Sequence, residues 1–223
     1  MNLSAPVLLI TPPFTQLNTP YPATAYLKGF FNTKNISTIQ ADFGIEVILA
    51  LFNKQGLQHL FETIEQKEIT LSENASRIIA LKDKYIHTID QVIQFLQGKQ
   101  NTLAHSICTR KFLAEANRFN QIDDLKWAFG SMGKLDMAKY IATLYLEDLS
   151  DLIQETVDEH FGFSRYAESL GRSANKFDEL YDALQQPYTF IDEILIKILS
   201  KRIEETNPKL VCSSVPFPGT VSY

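Results

Sequence analysis

The stretch PVLLITPPFTQLNTPYPATAYLKGF, residues 6–30, decides the fold. Its first five residues, PVLLI, are apolar without a break and end at a turn signal, the pattern of a strand buried on both faces. TPPFTQLN follows as a stiff loop. Thr19-Pro20 then marks a helix start, a capping hydroxyl before a proline whose fixed φ suits the first turn. Pro22 fits the same turn, because the first N–H groups of a helix have no helical partner. The helix is expected over residues 19–31, with Ala23, Tyr26, Leu27 and Phe30 as its apolar stripe. ISTIQADF, residues 36–43, alternates and reads as a second strand. Strand, helix, strand is a βαβ unit, which implies a parallel pair and a right-handed crossover.

The end of the chain repeats the theme. YTFIDEILIKILSKRIEE, residues 188–205, carries a wide apolar stripe at helical spacing, and Thr206-Asn207-Pro208 stops it. KLVCSSV, residues 209–215, is β-prone and runs into a second proline-rich stretch, SVPFPG. Between residues 45 and 186 helical periodicity dominates. It is clearest in residues 134–160, where Leu135, Ala138, Ile141, Tyr145, Leu149, Leu152 and Val157 make one face. Shorter helices are expected near residues 56–67, 72–97, 102–120, 163–170 and 173–184, with glycines at the joints. The expected fold is α/β and predominantly helical. It is a small three-stranded, parallel, doubly wound sheet of Rossmann or flavodoxin type, order 2-1-3, with a large all-α insertion between the second and third strands. Residues 1–45 and 187–223 form the α/β part and residues 46–186 the insertion.

Composition narrows the function. The chain has 223 residues, 45% hydrophobic and 21% charged, as in an ordinary globular protein. A net charge of −5, with no basic block, argues against a nucleic-acid binder. No apolar run is long enough to span a membrane, and MNLSAPVLLI has no cationic start, so it reads as a strand and not a signal peptide. Cys108 and Cys212 lie far apart in apolar surroundings. They fit a reducing compartment, the cytoplasm, and cannot form a disulfide framework or a thiolate metal site by themselves.

PVLLITPPF, NTPYPATAYLKGFFNTKN, IQADFGIE and PKLVCSSVPFPG together resemble the N-terminal region of radical SAM proteins that carry a cobalamin-binding-type domain. The resemblance lies in the first 46 and last 16 residues; the helical middle matches only in length and character. It implies a partial cobalamin-binding-type α/β domain, cut soon after its third strand, that covers a radical SAM barrel of the same protein. Cobalamin is then an implied ligand. A 4Fe-4S cluster and S-adenosylmethionine are implied for the barrel. The cluster motif C-x₃-C-x₂-C has no counterpart here, so the chain alone is not expected to be active. The D-x-H-x-x-G signature of histidine-ligating cobalamin modules is also missing. Asp158-Glu159-His160-Phe161-Gly162 approaches it, but is one residue short and far from the first strand.

In an open parallel sheet, ligands bind beyond the carboxyl ends of the strands, where strand order reverses. The two proline-rich loops should therefore face each other across one crevice. Thr11, Pro12, Pro13, Phe14, Tyr21, Pro216, Phe217, Pro218 and Gly219 are its candidate binding residues. Phe14, Tyr21 and Phe217 offer flat apolar walls for a corrin-sized ring or a partner domain. The alternative is that the prolines only end strands and the aromatics cap the core. The loop after the first strand has no glycine to cradle a phosphate and no acidic cluster of a receiver domain. His59, His87 and His105 have no second ligand at i+4, and Asp123-Asp124, Glu147-Asp148 and Asp158-Glu159 read as solvated helix faces. Trp127, Phe129 and Met132 read as core at a helix joint. No Ser–His–Asp set assembles by spacing. A different reading makes the helical insertion a protein- or substrate-recognition surface on a vestigial α/β domain with no cofactor. If the chain stops at Tyr223, its three-stranded sheet is further expected to expose an edge and to favour a dimer.

Overall fold

The structure, a computed structural model, describes residues 6–13, 17, 21–122, 133–163 and 177–215. The elements are β1 (Val7–Thr11), α1 (Ala23–Thr33), β2 (Thr38–Asp42), α2 (Phe43–Leu51), α3 (Lys54–Glu65), α4 (Glu73–Ala80), α5 (Lys82–Leu96) and α6 (Leu103–Cys108). A 3₁₀ helix (Asn117–Gln121), α7 (Lys134–Thr156), α8 (Phe177–Leu184), α9 (Phe190–Thr206) and β3 (Leu210–Ser213) complete them. The chain divides into two compact units, Met1–Leu49 with His160–Tyr223, and Ala50–Glu159.

The first unit is built on a parallel sheet in the order β2-β1-β3. Every residue of β1 is buried, as a central strand of a parallel sheet requires. Val7 pairs with Thr38 and Leu210, and Ile10 with Ala41 and Ser213. Backbone groups of successive strand residues point to opposite sides, so β1 serves its two neighbours alternately. The Val7 N–H donates to the Ser37 carbonyl, 2.9 Å, on the β2 side; the Ser214 N–H donates to the Ile10 carbonyl, 3.0 Å, on the β3 side. Residue 12 would supply the next donor to β3, and it is proline. Residue 13 would next face β2, where Phe43 already begins a helix. The strand therefore ends on both sides within two residues. Crossovers to β2 and then to β3 run in opposite directions from β1, and the right-handed rule makes the sheet doubly wound.

Helix α1 begins at Ala23, with Pro22 in the N-cap position and no side-chain cap. Its orientation corrects the expected stripe. Thr24 is its buried residue, Lys28 and Phe31 are half-buried, and Tyr26 and Phe30 are 77% and 57% exposed. The covered face is thus 24, 28, 31, the same period in a different phase. Hydrogen bonds set that phase: Thr24 Oγ1 lies 3.3 Å from Thr11 Oγ1 and accepts from Gln40 Nε2 at 2.7 Å. β2 passes into α2 without a loop, because Asp42 Oδ1 accepts the Ile45 N–H at 3.1 Å and caps the helix. In α9 the Asp192 N–H donates to Thr189 Oγ1 and the Thr189 N–H to Asp192 Oδ2, a reciprocal cap. Arg202 of α9 pairs with Glu46 of α2 at 2.9 Å.

The second unit is helical, and no strand occurs among the described residues from 45 to 186. Its core includes Leu57, Leu60, Phe61, Ile78, Tyr85, Ile89, Val92, Ile141, Tyr145 and Leu152. The helix expected over 72–97 is two helices meeting at Leu81. That expected over 102–120 is only α6 and, after a non-helical run, the 3₁₀ helix. Those expected at 173–184 and 188–205 are α8 and α9, and the one at 163–170 lies almost wholly outside the described residues. Asn53 caps α3 by accepting the Gly56 N–H, 2.9 Å. A Cβ on Gly56 would collide with the carbonyl oxygens of Ala50 and Leu51. Gly56→Ala should therefore destabilise the protein by about 1–3 kcal/mol, an overpacking cost, read as a lower urea midpoint with an unchanged slope.

Candidate functional site

The structure places the candidate crevice residues unequally. Thr11, Pro12 and Pro13 are buried at the carboxyl end of β1, and Tyr21 is half-buried just before α1. Phe14, Pro216, Phe217, Pro218 and Gly219 lie outside the described residues. The parallel register sets the carboxyl ends of β1 and β3 side by side, Ile10 opposite Ser213. Both proline-rich stretches thus follow adjacent strands.

Two residues join this edge that spacing alone did not single out. Thr24 and Gln40 extend the Thr11 hydroxyl into a chain of three polar side chains, Thr11–Thr24–Gln40. Thr11 and Thr24 are 2% and 1% exposed, so their hydroxyls must be satisfied within the protein. The signal was a lone threonine on the inward phase of α1, facing an alternate residue of β2. This end of the sheet offers hydroxyls, an amide and proline rings. Among the described residues it has no imidazole or thiol at the β1 exit.

The other candidates fall away from this edge. His59, His87 and His105 are exposed on α3, α5 and α6. His160 is half-buried after the end of α7 and not after β1. Among the described residues no group of His, Cys, Asp or Glu could hold a metal ion. The Cys108 thiol donates to the Lys134 carbonyl at 3.4 Å, and burial pushes its pKa up against the pull of the Lys134 ammonium. It is not an activated thiolate. Cys212 is half-buried on β3. Asp123, Asp124, Trp127, Phe129 and Met132 lie outside the described residues.

The carboxylate pairs are corrected in part. Asp148 is fully buried, and Asp158 nearly so. Asp148 Oδ2 accepts the Ala116 N–H at 2.8 Å and lies 3.4 Å from the Tyr85 hydroxyl. Its Oδ1 accepts the Arg118 N–H at 3.0 Å. The Arg118 guanidinium forks onto Asp151 at 2.7 and 2.6 Å. Asp148 thereby takes up the donors at the start of the 3₁₀ helix and pins that segment to α7. The rings of Tyr85 and Tyr145 stack beside it at 4.8 Å, and Tyr145 donates to the Tyr85 carbonyl at 3.0 Å. Burial pushes both phenols well above their usual pKa. These hydrogen bonds tie the start of the 3₁₀ helix and α5 to α7 as a structural clamp.

No protein-family model, no curated protein and no solved structure matches the chain. No helix among the described residues is long and apolar enough to cross a membrane.

Burial raises the Asp148 pKa above the free carboxylate value, against the opposing hydrogen bonds from Arg118 and Ala116. A group raised in this way contributes stability that is fully present below its unfolded pKa, about 3.9, and declines as pH rises through its folded pKa. Asp148→Asn cannot titrate, and its amide nitrogen faces a backbone N–H. The variant should be less stable by about 1–3 kcal/mol, and the wild type's margin over it should be larger at pH 4 than at pH 7. Urea unfolding followed by circular dichroism at the two pH values checks both.

Proposed function

We propose that this chain is the N-terminal, cobalamin-binding-type α/β module of a radical SAM enzyme. It would sit over the open mouth of the catalytic barrel and present the carboxyl ends of β1 and β3 to a corrinoid or to substrate. The observation that carries this reading is the β2-β1-β3 order with a proline pair ending β1 at the switch point. Its support is the sequence motifs at the two ends of the chain together with this geometry.

In this reading a corrinoid would rest on the surface of this strand edge. Gln40 has an exposed amide and Tyr21 a half-buried ring that could contact it, while Thr11, Thr24, Pro12 and Pro13 lie buried beneath and fix the shape of the edge. They include no histidine, so these residues would hold a corrinoid by side-chain contacts alone. Bound, a corrinoid supplies its cobalt centre; the chain's own part is to hold the ring and exclude water. The 4Fe-4S cluster and S-adenosylmethionine belong to the barrel in this reading. We place the protein in the cytoplasm, where its two free cysteines stay reduced.

A second reading has one observation of its own. Residues Ala50–Glu159 form a compact unit with its own core, larger than a connection between two strands requires. In that reading the helical unit recognises a protein or substrate, and the α/β unit holds no cofactor. Titrating the folded chain with hydroxocobalamin decides between them. The first reading predicts a saturable change in the corrin absorption bands. A folded protein that leaves the spectrum unchanged overturns it and leaves the second.

A further inference from the structure

After α6 the chain crosses to the 3₁₀ helix without a helix or strand before Asn117. This segment is tied to itself. Arg110, at a left-handed φ of 59°, forks onto Glu115 at 2.9 and 2.7 Å, and its guanidinium lies 5.6 Å from the Phe119 ring centre. Its links to the helices beneath are of another kind. Three consecutive backbone N–H groups, those of Ala116, Asn117 and Arg118, donate to side chains of other helices. Their acceptors are Asp148 Oδ2 on α7, Asn74 Oδ1 on α4 and Asp148 Oδ1. Leu113 and Phe119 are the large side chains that the segment buries. The helices beneath pack through contacts of their own, α4 and α6 on α7 and α3 on α5. A segment that coheres within itself and hangs on a few polar bonds is suited to local opening.

The bonds converge on a carboxylate that is 0% exposed. Among the described residues no ammonium or guanidinium pairs with it. The Arg118 guanidinium is taken by Asp151, with Glu147 at 3.9 Å, and both acids share α7 with Asp148. From α5 the Tyr85 hydroxyl faces Asp148 at 3.4 Å; Arg77 of α4 acts on that phenol, and Asp90 of α5 on Tyr145. A buried ion without a counter-ion gains much from reaching water, and a neutral acid gains little. We propose that this segment is a latch that lifts separately from the helices beneath it, and that a proton on Asp148 holds it shut. In the shut, protonated form the acid's O–H donates to the Tyr85 oxygen, and the Ala116 and Arg118 N–H groups keep their acceptors. The two N–H bonds favour the ion and burial favours the acid; burial is the larger effect and raises the Asp148 pKa. The latch is therefore tightest below the free carboxylate value, about 3.9, and loosens as pH rises through the raised one. It lies in the helical unit and stands whether or not a corrinoid binds the α/β unit.

Native-state amide exchange of the full chain, read as protection factors at pH 4 and pH 7, tests it. The Ala116, Asn117 and Arg118 amides are expected to be less protected than those of Ile89 and Leu152 at both values, and to lose protection several-fold from pH 4 to pH 7. Asp148→Asn should abolish that dependence. Asp151→Asn removes the partner of the Arg118 guanidinium and should leave the dependence in place. Protection equal to that of Ile89 and Leu152 overturns the proposal, because the segment then opens only with the whole unit. So does protection that is constant or rises with pH, or a dependence that survives Asp148→Asn. A dependence lost in Asp151→Asn assigns the titration to the Arg118–Asp151 pair and overturns it too. The wild-type profile decides even where Asp148→Asn fails to fold.

Discussion

Pro12 has no N–H to give, and the α/β unit is organised around that absence. β1 serves β2 and β3 through alternate residues, so a missing donor at one position ends one ladder and leaves the other to end at the next residue. The chain must leave the sheet at the point where strand order reverses. Immediately before the exit, the Thr11 hydroxyl reaches Thr24 and fixes which side of α1 meets the sheet. The aromatic side of α1 is turned outward as a result. A covalent property of Pro12 therefore sets where the sheet ends, and the Thr11–Thr24–Gln40 hydrogen bonds set the rotation of the first helix.

The strands and their order were legible because they rest on signals that no tertiary context overrides. A fully apolar run bounded by prolines is buried whatever packs on it, and two α-linked crossovers leave few orders for three parallel strands. The phase of α1 was not legible in the same way. Its sequence is apolar on more than one side, and periodicity gives the period of a stripe without saying which stripe is covered. Thr24 decided it through two hydrogen bonds to distant residues. The nine-residue helix α2 was hidden for a different reason. Asp42 ends a strand and caps a helix at once, so no loop announces the change.

In the helical unit the same kind of long-range bond defeated a local reading. A helix running through residues 111–116 would keep the Ala116 and Arg118 N–H groups for itself, and Asp148 takes them instead. Asp148 was visible in principle. It lies at 4-3-4 spacing with Ile141, Tyr145 and Leu152, on the buried face of α7, and a carboxylate there needs donors from elsewhere. At the candidate site the adjacency of the two strand ends was legible, and the side-chain contacts beside them were not. The register sets the β1 and β3 ends side by side, as expected, while Thr24 and Gln40 required the fold to be seen.

The most direct test of this account is amide hydrogen exchange in Pro12→Ala. The substitution restores a donor at the position that faces β3, opposite the carbonyl of Ser214. The account predicts that the new backbone amide at position 12 is protected from exchange and that the ladder grows by one rung on the β3 side. An amide there that exchanges as fast as an unstructured one would contradict it, because the strand would then end for some reason other than the proline.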